Sequence, residues 1–178
     1  MRRIPTPGAT PPLSRVARAA ALPVLCCAAL AACAPLGAAA GADVRYAEDF
    51  DRHAPLRVEG YPSAGSLRLV QQVVWRIADG SPDRLEDLAT GDAPPRQRAD
   101  TARRWIAEFG GEAAGRATAV FCGPGDARQT VVLRFPGTGR TKVLHVRVDG
   151  AGGEDGWRVR MNEPAGAPPE PLPPCAEL

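Results

Sequence analysis

The stretch "RQTVVLRFPGTGRTKVLHVRVD", residues 128–149, decides the fold, because apolar and polar residues alternate in it on both sides of a glycine-rich turn. A period of two is typical of β-strands with one buried face, and the turn "PGTGR" favours a hairpin. Two more alternating segments flank it, "RATAVFC" at 116–122 and "WRVRMN" at 157–162. The sequence therefore predicts an antiparallel meander of four strands over 116–162.

Three helices are predicted before the strands. The first runs from a cap at Ser66 to a stop at Gly80, and its apolar residues recur at helical spacing: Leu67, Val70, Val74 and Ile77. The second is short and covers 81–91, where a serine and a proline form its start. The third covers 96–109 and is expected to stop at the glycine pair that follows.

This order of elements resembles that of the NTF2-like family, also called cystatin-like. The resemblance is carried by "RIADGSPDRLEDLATGD" at 76–92, by "TARRWIAEFG" at 101–110 and by the strands from Arg116 to Asn162, without a signature motif. It implies an α+β fold in which three N-terminal helices pack on a four-stranded antiparallel, curved sheet that forms a cone. A plain α+β sandwich of unrelated topology is the alternative.

An export signal is predicted at the N-terminus. Residues 1–18 carry four arginines and no acid, and the uncharged run 19–32 is shorter than the roughly 20 residues of a membrane span. Its end resembles the lipobox of bacterial lipoproteins, a leucine, two small residues and a cysteine: Leu30, Ala31, Ala32 and Cys33. This resemblance implies that a diacylglycerol is attached to the Cys33 sulfur and that the chain is cut just before it.

Two alternatives to this leader remain open. Ordinary cleavage near Ala38–Ala40 would release a soluble protein with a free thiol at Cys33. The pair Arg2–Arg3 also suggests twin-arginine export, although the hydrophobic pair that usually follows is missing.

The chain is therefore divided into four parts. Residues 1–32 form a lipoprotein signal peptide, and 33–42 a lipidated cysteine with a flexible tether. Residues 43–162 form a single domain, which begins irregularly over 43–62 apart from a short edge strand near 56–59. A proline-rich tail, 163–178, follows. The expected location is the outer face of the cell membrane.

The charge argues against a nucleic-acid partner. The chain has 22 basic and 20 acidic residues, and the leader removes four of the basic ones, so 18 minus 20 leaves a mature net charge of −2. Nucleic-acid binding requires a strongly positive surface. The expected partners are the membrane, through the lipid, and an envelope protein or small ligand.

Two cysteines remain in the mature chain, Cys122 and Cys175. Oxidising conditions outside the cell favour a disulfide between them, which would attach the tail to the first strand of the meander. The alternative is a pair of free thiols, one buried and one exposed.

Residues capable of catalysis are few. His145 is a weak candidate for a base in a pocket, against the alternative of an unpaired histidine on the solvated sheet face. His53 follows Asp49 and Asp51 in a segment that is expected to be a solvated turn and not a metal site. No nucleophile elbow, zinc motif or phosphate loop occurs, so no cofactor or metal is predicted.

Five arginines on the predicted strands offer a further possibility: Arg128, Arg134, Arg147, Arg158 and Arg160. They form either a positive stripe for an anionic partner or simply the solvated half of alternating strands. The sequence thus leaves two functional hypotheses. The first is a non-catalytic envelope lipoprotein that binds a ligand or a protein, and the second is a small cell-surface hydrolase or isomerase with a pocket near His145.

We predict that Cys33→Ala abolishes membrane association, because the lipid on Cys33 is the anchor that this sequence predicts. Cell fractionation with immunodetection measures the shift to the soluble fraction. The matched variant Cys26→Ala, inside the leader, should remain with the membrane. A Cys33→Ala protein that stays in the membrane fraction would refute the lipobox assignment.

Overall fold

Four helices and five strands occur in the part of the chain that the computed structural model describes, residues 46–150 and 153–176. The helices are α1 (46–52), α2 (Ala64–Ala78), α3 (Pro82–Glu86) and α4 (Pro95–Ala113). The strands are β1 (Arg57–Gly60), β2 (Thr118–Cys122), β3 (Arg128–Phe135), β4 (Arg140–Val148) and β5 (Trp157–Val159). The predicted leader, Cys33 and the tether lie outside the described residues.

The five strands form one open, mixed sheet in the order β1-β2-β3-β4-β5. Strands β2 to β5 pair antiparallel, which confirms the meander. The predicted four-stranded antiparallel sheet is nevertheless wrong in detail, because β1 adds a fifth strand that is parallel to β2. Helices α2, α3 and α4 connect these two strands, and a long crossover of this kind is what a parallel pair requires.

The helices cover one face of the sheet, as predicted. Alternate residues of β3 and β4 enter a common core with α2, α4 and the indole ring of Trp105: Val131, Leu133, Phe135, Leu144 and Val146. All are at most 2% exposed, so this core is closely filled.

The boundaries of all three predicted helices differ from those expected. Helix α3 is shorter than the predicted 81–91, because it ends at Glu86 and the chain then turns to pair Ala89 with Val159. The N-cap of α2 is Ser63, whose side chain accepts a hydrogen bond from the Ser66 backbone, and Ser66 returns the bond as the third residue of a capping box. Helix α4 continues through Gly110 and Gly111 to Ala113. Burial of Ala113 in the core stabilises this extra turn enough to outweigh the low helix propensity of glycine.

Helix α1 corrects the expectation of an irregular segment over 43–62. Tyr46 and Phe50 lie one turn apart and both contact the ring of Trp75, with centroid distances of 5.3 and 6.1 Å. Asp49 forms an ion pair with Arg76, and both are mostly buried. These tertiary contacts, and not a long apolar period, stabilise the helical segment 46–52.

The tail returns across the sheet face that the helices leave free. Cys122 and Cys175 lie at disulfide distance, with Cα atoms 5.7 Å apart, inside the reach of about 7 Å that a disulfide requires. Next to this pair, the buried side chain of Ala176 packs on a row of valines, one from each of three strands: Val120, Val132 and Val143. The cysteine pair thus fixes where the tail ends on the sheet.

We predict that a bond between these cysteines contributes about 2–4 kcal/mol to stability, because it closes a loop over a sequence separation of 53 residues. Reduction, or Cys175→Ser, should therefore lower Tm by roughly 5 °C or more in calorimetry. Alkylation of the denatured, unreduced protein provides the check by mass spectrometry. Two modified thiols at Cys122 and Cys175 would contradict the pairing.

Candidate ligand-binding groove on the open sheet face

A group of polar residues of the meander lies on the sheet face opposite the helices, which we call the open face. On β3 and β4, Arg128 lies directly opposite Arg147, and Thr130 lies opposite His145. Arg147 in turn lies opposite Arg158 on β5. Three arginines therefore form a row across three strands, and His145 lies beside this row.

A groove of about 470 Å³ occupies this part of the open face. Its charged and titratable lining consists of Arg128, His145, Arg147 and Arg160, with the hydroxyl of Thr130 between them. No aspartate or glutamate is among the described residues that line it. The volume falls within the range of small-molecule sites, about 300–1,000 Å³.

His145 is partnered on both ring nitrogens, which corrects the expectation of an unpaired histidine. Its Nδ1 lies 3.3 Å from the Thr130 hydroxyl, and its Nε2 lies 2.9 Å from a carboxylate oxygen of Glu170. Glu170 belongs to the tail, so the tail contacts the sheet here as well as at Cys175. The imidazole therefore joins the floor of the groove to the tail.

Asp92 does not line the groove, but its carboxylate partly neutralises two of the arginines that do. Its carboxylate lies 3.5 Å from Arg147 and 3.8 Å from Arg160, and it accepts a hydrogen bond from the Thr90 hydroxyl. The bond from Thr90 and the two arginine charges hold the pKa of Asp92 below its usual value, against an opposing effect of burial. Asp92 is consequently ionised at neutral pH.

The position of Asp92 follows from local backbone pairing. The N–H of Thr90 donates to the carbonyl of Val159, and the N–H of Val159 donates to the carbonyl of Leu88. The segment after α3 is thereby attached to the edge of β5, two residues before Asp92. The sequence pattern of a helix followed by a turn contains no signal for this attachment.

The five strand arginines divide between the two predicted roles. Arg128, Arg147 and Arg160 line the groove. Arg134 instead pairs with Glu59 at 3.7 Å and donates to the carbonyl of Ala176, while Arg158 donates to backbone carbonyls of its own turn. Three of the five arginines therefore line the groove, whereas Arg134 and Arg158 bond to backbone carbonyls, although Arg158 also lies in the cross-strand row.

Gln129 supports the groove from below and was not a candidate in the sequence. It is 4% exposed, and its amide nitrogen donates to the carbonyls of Tyr61 and Gly123 at 3.0 and 2.9 Å. Its amide oxygen accepts a bond of 3.0 Å from the hydroxyl of Ser66. Gly123, at φ 75°, adopts a conformation that favours glycine and forms part of the groove wall.

A second groove, of about 460 Å³, lies between α4 and the tail. Its charged groups are already paired: Lys142 lies 2.6 Å from Glu163 and over the ring of Trp105, and Trp105 donates to Glu163. These contacts attach the tail to α4 and β4. We therefore interpret this groove as a result of the packing of the tail and not as a ligand-binding site.

His53 lies in a structured network and not in a solvated turn. Its Nδ1 is 2.7 Å from the Asp49 carbonyl and its Nε2 is 2.8 Å from Asp79. Burial raises the pKa of Asp79, but hydrogen bonds and charges from His53 and Arg76 outweigh this effect and leave the pKa below its usual value. Within residues 46–150 and 153–176, no group of three or more His, Cys, Asp or Glu side chains is arranged to hold a metal.

Comparison of the chain with protein-family models, with curated proteins and with solved structures finds no match. Among the described residues, no helix has both the length and the apolar character needed to cross a bilayer. A functional interpretation therefore depends on the geometry of the groove and on the sequence patterns.

We predict that Gln129→Met destabilises the protein by about 2 kcal/mol or more, because it leaves two carbonyls and a buried hydroxyl without their partner. Denaturant unfolding measures the change. The same substitution at Gln97, whose amide makes one bond to the carbonyl of Asn162, should cost less than about 1 kcal/mol. Equal losses at the two positions would show that the Gln129 network contributes nothing specific.

Proposed function

We propose that this chain is an exported, lipid-anchored protein of the cell envelope whose domain is a non-catalytic binding module. The leader and the lipobox-like residues Leu30 to Cys33 support export and anchoring. The order of helices and meander supports a fold similar to that of the NTF2-like family, with an added parallel strand. The mature charge of −2 supports a partner other than nucleic acid.

One observation carries the binding role: the polar groove lies on the open face, whereas the helix side of the sheet is filled. A pocket of the NTF2-like type would lie between the helices and the sheet, but Leu133, Leu144 and Trp105 occupy that space. The open-face groove has the volume of a small-ligand site and charged walls. A ligand at the outer face of the cell membrane would bind to this face of the sheet without any rearrangement of the core.

A specific contact favours the second candidate, a small hydrolase. Thr130, His145 and Glu170 lie in the order hydroxyl, imidazole, carboxylate, which is the order of groups in an activated nucleophile. The hydroxyl, however, lies in mid-strand, where the backbone of Thr130 pairs with both β2 and β4. Its neighbouring backbone N–H groups are committed to the sheet and do not form an oxyanion hole.

We predict that at least one of four soluble probes raises Tm in a thermal-shift assay: N-acetylglucosamine, D-alanyl-D-alanine, citrate or glycerol 3-phosphate. The rise should disappear in Thr130→Phe, whose ring fills the groove, because a ligand that binds only the folded state stabilises it. The matched variant Thr141→Phe, on the same face of β4 but outside the groove, should retain the rise.

Two results would contradict the binding module. One is the absence of any groove-dependent rise in Tm across the four probes. The other is hydrolysis of p-nitrophenyl acetate that is lost in both Thr130→Val and His145→Gln, since this result would establish the hydrolase instead.

A further inference from the structure

We infer that the groove binds a phosphate group, carried either by a small organic ester or by a phospholipid headgroup. This inference rests on the proposed binding function and names the chemical class of the ligand. It is drawn from the charge, the strand register and the shape of the groove.

The positive charges around the groove exceed the negative ones. Arg128, Arg147 and Arg160 supply three positive charges, and Asp92 neutralises one of them from outside the lining. Glu170 faces His145 and not the arginines. An excess of about two positive charges remains, which matches the charge of a phosphate monoester near pH 7.

The pairing of Arg128 with Arg147 destabilises the sheet when no ligand is bound. Like charges directly opposite each other on neighbouring strands destabilise a sheet, and Arg128 and Arg147 form such a pair. Arg128 makes no ion pair with any residue that the structure describes. An anion between the two guanidinium groups would remove this repulsion.

The arrangement of the donors also favours a phosphate. The three arginines come from β3, from β4 and from the residue after β5, so three separate guanidinium groups on neighbouring strands line the groove. A tetrahedral phosphate presents several oxygens in different directions, whereas a planar carboxylate presents two in one plane. Guanidinium groups suit phosphate because their N–H donors form paired, charge-assisted hydrogen bonds.

The groove is also larger than the anion. A volume of about 470 Å³ exceeds what one phosphate fills, so an organic group can occupy the rest. Thr130, Gly123 and Pro124 also line the groove. The ligand is therefore a phosphate ester and not inorganic phosphate alone.

The test is calorimetric titration of the full chain, in neutral detergent and at low salt, with two soluble probes. Glycerol 3-phosphate represents a free monoester, and glycerophosphoglycerol represents a phosphatidylglycerol headgroup without its acyl chains. We expect saturable 1:1 binding of at least one probe, weakened about tenfold or more in Arg128→Gln and in Arg147→Gln.

The matched control is Arg103→Gln, which removes the same charge from the exposed face of α4, where Arg103 pairs with Asp100. It should leave the affinity within about twofold. Arg147→Gln also removes a contact with Asp92 and could therefore destabilise the fold. In that case Arg128→Gln, which has no such contact, still tests the inference. If glycerol 3-phosphate binds more tightly, the ligand is a small organic phosphate ester. If glycerophosphoglycerol binds more tightly, the ligand is a phospholipid headgroup.

The inference is overturned if neither probe binds, or if Arg103→Gln weakens binding as much as the groove variants do. If N-acetylglucosamine or D-alanyl-D-alanine shows groove-dependent binding while both phosphate probes do not bind, the binding module stands and the phosphate assignment falls.

Discussion

The register between β3 and β4 is the constraint on which the rest of the structure depends. Eight residue pairs, from Arg128–Arg147 to Phe135–Arg140, align the two strands. The pairing sends Val131, Leu133 and Leu144 to the helices and sends Arg128, Arg147, Thr130 and His145 to the opposite face. A slip by one residue would exchange the two sets and bury the charges. The core and the groove are therefore two consequences of the same pairing.

The tail divides the open face into a covered and an uncovered part. Ala176 covers the row of valines next to Cys122, and Glu170 reaches His145 at the margin of the groove. No tail residue that the structure describes lines the groove beyond His145, so the described part of the tail packs on one part of this face and leaves the other to the groove. A proline-rich segment with little apolar surface fulfils this role because a few contacts fix it: the cysteine pair, Glu163 and Glu170.

The alternating strands were the most predictable part of the fold, since a period of two is a local property. β3 matches the predicted segment exactly at Arg128–Phe135. The parallel pairing of β1, the helix α1 and the continuation of α4 past Gly111 were not predictable, because each depends on contacts with distant residues. The residues of the candidate site also fall into a predictable and an unpredictable group. The arginines and His145 were visible as a pattern, whereas Asp92, Gln129 and Glu170 reach it through tertiary contacts that no short sequence pattern encodes.

The central claim is that the open-face arginines form one binding site for an anionic ligand. Two-dimensional NMR of the arginine side-chain Nε–Hε groups during titration with glycerol 3-phosphate tests it most directly, because it reports each guanidinium separately. The account predicts saturable shifts for Arg128, Arg147 and Arg160, and none for Arg103 or Arg140, which pair with acids on or near α4. Shifts of equal size at all arginines, or shifts confined to residues outside the groove, would contradict it.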